Sequence, residues 1–155
     1  MYRIYFVLLL SLLFTACDDS TSHHSHHDHG HSEAHAEGSV APPLNPVSVI
    51  GGITVVEMTG NDRMKYNLEA FSVPAGSLVK LNFRNVGKMP KAVMGHNVVF
   101  LKADVDSGAF ATAAAAARDN QYIPVQFEDQ ILARTNLLGS GESDTIEFTA
   151  PKASG

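Results

Sequence analysis

One cysteine in 155 residues, at position 17, rules out an intrachain disulfide and any cysteine-rich zinc module. Charge is sparse: 17% of the residues are Asp, Glu, Lys or Arg, and 11 basic residues against 16 acidic ones give a net charge of −5. Such a balance supplies no basic stripe for a phosphate backbone, which excludes nucleic acid as the expected partner. Long apolar runs are missing too. The longest, residues 4–14, has 11 positions and is interrupted only by Ser11, too short to cross a bilayer as a helix. No Ser/His/Asp set, paired-carboxylate motif or phosphate loop stands out, and of eight histidines only His96 lies beyond position 35, so the chain does not read as an enzyme. What is present is 45% apolar sequence, enough for the core of one domain with some chain left over.

The N-terminus carries the features of export. Arg3 and the amino terminus precede the apolar run, whose length suits the core of a signal peptide. Phe14-Thr15-Ala16-Cys17 resembles a bacterial lipobox, which implies a lipoprotein signal over residues 1–16 and lipidation of Cys17. Residues 17–46 then read as a tether. Positions 18–45 hold five acids, no Lys or Arg, seven His and almost no large apolar residue, so the segment cannot offset the entropy of ordering. Its typical reach is roughly 30 Å for a flexible chain of this length. His23, His24, His26, His27, His29, His31 and His35 lie close enough together to share a zinc, copper or nickel ion, with modest affinity because nothing preorganises them.

From residue 47 the chain reads as a folded domain. Strand-like runs fall at 53–58, 71–73, 78–84, 98–101, 131–138 and 144–149, separated by Gly, Pro, Asn and Asp turns. Val79, Leu81 and Phe83 alternate with Lys80, Asn82 and Arg84, the pattern of a strand with one buried face. Five consecutive alanines at 113–117 predict one helix over about 107–118. The expected architecture is an all-β antiparallel sandwich with one inserted helix.

Three strings give the domain chemical content: Gly60-Asn61-Asp62-Arg63-Met64, Gly87-Lys88-Met89-Pro90-Lys91-Ala92-Val93-Met94-Gly95-His96-Asn97, and residues 135–144 from Thr135 through Gly139-Ser140-Gly141 to Asp144. In order and spacing they resemble the azurins, blue-copper electron carriers of bacterial envelopes, over roughly residues 52–155. The resemblance implies a Greek-key cupredoxin sandwich and one type 1 copper. It makes His96 an equatorial ligand, Gly95 the donor of an axial carbonyl, and Asn97 the residue that ties the ligand loops together. Met64, Met89 and Met94 become an apolar docking patch for redox partners such as cytochromes. Imidazole and thiolate suit copper, and weak axial ligands tune its potential.

The chain departs from the pattern in several places. The Cys, second His and Met that the resemblance calls for are absent between His96 and Gly155, and Cys17 lies 79 residues before His96. The expectation is therefore a domain that continues past Gly155, with the final strands missing here. The family's usual disulfide is absent, Asn85 and Arg134 stand where well-known azurins have His, and Val98 replaces a commonly aromatic residue. The functional expectation is a lipid-anchored, periplasm-facing copper protein that shuttles electrons, on either the inner or the outer membrane. The alternative is a metal-buffering or copper-handling lipoprotein acting through its His-rich tract.

Overall fold

The computed structural model describes residues 2–5 and 45–152; the expected lipidation site Cys17, the His-rich tract and most of the leader lie outside them. Eight strands form among the described residues: β1 (Tyr2–Tyr5), β2 (Val47–Ile50), β3 (Ile53–Gly60), β4 (Ala70–Val73), β5 (Leu78–Asn85), β6 (Val99–Leu101), β7 (Ile131–Arg134) and β8 (Ser143–Thr149). They make a four-stranded sheet, β2-β3-β5-β8, and two ribbons, β6-β7 and β1-β4.

The alternation read in the sequence is realised in the burial. Every second residue of β3 and β5 turns inward, placing Val56, Met58, Val79, Leu81 and Phe83 in the core. Phe71 and Val73 of β4 and Phe100 of β6 face them, joined by Phe148 of β8. The Phe100 ring lies 4.8 Å from that of Phe148 and meets Phe71 edge-on at 6.2 Å, so aromatic contacts bridge the sandwich. Each fully buried side chain of this size contributes about 1.5–3 kcal/mol.

One pair departs from the antiparallel expectation: β3 and β5 run parallel, with Thr54 beside Val79 and Gly60 beside Asn85. Both strands therefore end at the same pole of the sheet, and that shared ending builds the site. A strand that patterning missed, β2, pairs antiparallel with β3 through the turn at Gly51-Gly52, where both glycines take positive φ.

The predicted helix forms as α2 (Ser107–Ala116), after a one-turn helix α1 (Lys91–Met94) that the sequence did not signal. Asp106 caps α2 by accepting hydrogen bonds from the Gly108 and Ala109 amides at 2.8 and 3.0 Å. The helix buries only Phe110 and Ala114, one turn apart, against Val99 and Ile123 in a small second core. It stops two residues short of the expected end, because the chain turns through a 3-10 segment at Arg118–Asn120 into left-handed Gln121 and Tyr122. No described helix is long and apolar enough to cross a membrane.

Candidate metal centre

Four segments meet where β3 and β5 end. The first is the turn after β3. Asn61 accepts from the Met64 amide through its carbonyl (3.0 Å) and from the Arg63 amide through Oδ1 (2.9 Å), which closes the turn. The second is the loop from Val86 to Pro90. Asp62 stitches it to the first turn by accepting from the Lys88 and Met89 amides at 2.7 and 3.2 Å. The third is α1 with Gly95, His96 and Asn97. The fourth is the 135–142 stretch, which exchanges two backbone bonds with His96: the His96 amide donates to the Leu138 carbonyl (3.0 Å), and the Leu138 amide donates back (2.8 Å).

His96 is 6% exposed. Its ring is held from three sides. Gly60 has no Cβ, and one placed there would approach the ring to 3.2 Å. Tyr66 packs edge-on at 5.8 Å. Nε2 lies 2.9 Å from the Asn61 carbonyl oxygen. A carbonyl only accepts, so the proton of the neutral ring sits on Nε2 and the Nδ1 lone pair is bare. Nδ1 has no hydrogen-bond partner among the described residues, so its lone pair is uncommitted. Burial pushes the imidazole below its ordinary range, opposed by the Asn61 carbonyl and the Asp62 charge. Burial outweighs the Asp62 charge and favours the neutral ring that metal binding needs, while the carbonyl of Asn61 orients it.

Gly95 is half-buried, and a Cβ there would meet the Lys91 carbonyl oxygen at 2.7 Å and Leu137 at 3.1 Å, so only glycine lets the chain pass. Its own carbonyl accepts no hydrogen bond among the described residues, leaving it available as a donor to a cation. Asn97 is buried, and its Nδ2 donates to the Gln121 carbonyl (2.9 Å), which ties the His96 segment to the turn after α2. The Asn97 carbonyl accepts from the Tyr66 hydroxyl at 3.0 Å. Burial pushes that hydroxyl up to about 12, so it keeps its proton and remains a donor.

Met64 and Met89 lie on loops of this pole, and Met94 ends α1, which follows them in the chain. Met89 is exposed, while Met64 and Met94 are half-buried. Val86 and Val93 add exposed apolar surface beside them, which sequence reading did not single out. Sequence reading also missed the carbonyl of Asn61, the ring of Tyr66 and the absent side chain of Gly60 as the groups that set the histidine. Only Gly60 and Asn61 lay within a string it recognised. Among the described residues no three or more His, Cys, Asp or Glu side chains come together, so they do not close a metal site by themselves. They supply one imidazole and one free carbonyl, both suited to copper.

The sequence pattern of the copper-binding proteins of the plastocyanin/azurin family matches residues 53–155. The azurin of Alcaligenes faecalis is 33% identical over 98 residues, covering 63% of this chain and 76% of that protein. The azurin of Bordetella pertussis is 35% identical over 98 residues; the match spans 63% of this chain and 65% of that protein, just under two thirds of its length. Among solved structures, dithionite-reduced auracyanin from the photosynthetic bacterium Roseiflexus castenholzii aligns with a TM-score of 0.52 at 28% identity, over 63% of this chain and 75% of its own. The matched span begins with β3 and takes in every segment around His96, and the solved relative shares the sandwich that carries them. The chain belongs to the plastocyanin/azurin family of copper-binding proteins.

Proposed function

We propose that the domain is an electron carrier of a bacterial cell envelope, in which His96 Nδ1 and the Gly95 carbonyl would help to hold a copper ion. The observation that carries this reading is the His96 ring, its Nε2 committed to Asn61 at 2.9 Å and its Nδ1 left bare. Copper between imidazole and thiolate ligands takes up and releases one electron as it passes between Cu(II) and Cu(I). The residues of this chain orient and hold: Asn61, Gly60 and Tyr66 fix the ring, Gly95 gives close approach, and Asn97 ties its segment to the turn after α2. The thiolate, second imidazole and thioether of a complete type 1 site, which the family carries in a loop after His96, do not occur between His96 and Gly155. Reading the gene beyond codon 155 tests whether they follow.

Around the pole, Met64, Met89 and Met94 form the adaptable apolar surface on which a redox partner such as a cytochrome docks. Membership of the plastocyanin/azurin family supports the role of a carrier rather than of an enzyme. At the other end of the chain, cleavage before lipidated Cys17 leaves the domain on a tether of residues 17–46. The seven histidines of that tether form a separate, weaker metal tract.

Copper(II) titration followed by electron paramagnetic resonance separates the two sites. Deleting residues 23–35 removes the weak copper and leaves one nitrogen-coupled signal, and His96→Gln in the deleted chain abolishes it. A signal indifferent to His96→Gln refutes the assignment. For the anchor, Cys17→Ser stops incorporation of labelled palmitate and frees the protein from the membrane fraction; an unlabelled wild-type protein refutes lipidation.

A further inference from the structure

Asn85, the last residue of β5, is fully buried, yet it is a polar residue at the end of an otherwise apolar inward row. Its main chain is already held: its amide donates to the Glu142 carbonyl (3.0 Å), and its carbonyl accepts from the Gly141 amide (2.9 Å). The side chain is thus free to serve something else. Its Nδ2 donates to two carbonyls, those of Met94 (3.2 Å) and Leu138 (3.0 Å), while Oδ1 accepts from the Gly87 amide (2.9 Å). Met94 lies two residues before His96, and Leu138 is the residue that exchanges both backbone bonds with His96.

We infer that Asn85 is a positioning residue for His96, a buried amide clamp that sets the distance between the His96 segment and the 135–142 stretch. Two carbonyls and one amide N–H require two donors and one acceptor at a single side chain, and a primary amide supplies both. A carboxylate would present oxygen to two carbonyl oxygens, and a hydroxyl has one donor and a shorter reach. The Gly87 end of the clamp continues outward: the Gly87 carbonyl accepts from Ser140 Oγ (2.8 Å), and a Cβ on Gly87 would overlap Asp62, the residue that stitches the two loops. One side chain thereby joins three of the four segments at this pole, and Asp62 ties in the fourth. The inference rests on the reading of His96 as a ligand, but its test does not depend on metal.

The test uses the full chain, free of metal, with Asn85→Asp and Asn85→Ser as independent variants should one of them not fold. Amide hydrogen exchange measured by NMR reads the His96–Leu138 pairing directly. Loss of the clamp is expected to speed exchange at the His96 and Leu138 amides by about tenfold, the scale of one hydrogen bond's net worth, while the β3–β5 ladder changes by much less. In the same samples, the 15N shifts of the His96 ring move from the single Nε2–H form toward an average of both tautomers. Equal acceleration across the ladder, or unchanged exchange at His96 and Leu138, overturns the inference and leaves Asn85 a purely structural residue. If exchange responds as expected but wild-type protein lacking residues 23–35 shows no His96-dependent copper(II) signal, the clamp stands and the ligand assignment falls.

Discussion

Gly95 is demanded by its neighbours rather than by its own dihedral angles, since φ −71° and ψ 140° are open to any residue. Gly95→Ala sets a methyl group against the Lys91 carbonyl and Leu137. It is expected to cost about 1–3 kcal/mol as overpacking, read as a lower urea midpoint with an unchanged slope. His96 brings a pH dependence whose sign follows from burial. Its folded-state pKa lies below the ordinary value of about 6.5, so as pH falls the unfolded chain binds the proton first. Stability of the metal-free protein is therefore full above about pH 6.5 and declines on acidification below it. His96→Gln should flatten this limb in denaturation midpoints collected across that range; an equally steep limb in the variant would remove His96 as its source. His96 and Gly95 were legible in the sequence because a side-chain type, or its absence, is what a sequence writes down. The Asn61 carbonyl was not: a backbone oxygen 35 residues upstream looks the same whatever residue carries it.

Among the elements, α2 leans on little. It buries two side chains and takes its start from a single cap, Asp106. Asp106→Ala should lower stability by about 1 kcal/mol, and Phe110→Ala by about 3–5 kcal/mol through the cavity left beneath Phe127, 5.5 Å away. Thermal melts check both. The strands with strict alternation, β3, β5 and β8, were legible within two residues of their ends because a half-buried strand must alternate. The short β2 was hidden beside Pro46 and the Gly51-Gly52 turn, and its last two residues, Val49 and Ile50, are exposed despite being apolar. Nor could pattern reveal that β3 and β5 run parallel, because register and direction are properties of pairs, not of one segment. The alanine run announced a helix but not its stop, which the turn through Gln121 imposes from outside.

Taken whole, the folded region from Pro46 onward carries 10 basic and 11 acidic residues, so no strong field of one sign surrounds the His96 pole. Its exposed apolar residues there, Val86, Met89 and Val93, offer contact instead of steering. In copper-loaded protein, electron exchange with a partner should vary weakly with ionic strength, whereas Met89→Glu or Val93→Glu slows it by about tenfold, equivalent to about 1.4 kcal/mol of lost docking. Stopped-flow rates between low and physiological salt decide this, and a steep salt dependence would point to charge-guided docking. The stitching of the loops by Asp62 and Asn85, with the His96 ring wedged between Gly60, Tyr66 and Asn61, has a further consequence for such exchange. As the copper ligand proposed above, a ring held this way would be in place before any metal arrives and would move little when the charge beside it changes by one. The protein would then spend little reorganisation energy on each electron, and the pace of transfer would be set by how partners meet rather than by how this molecule rearranges.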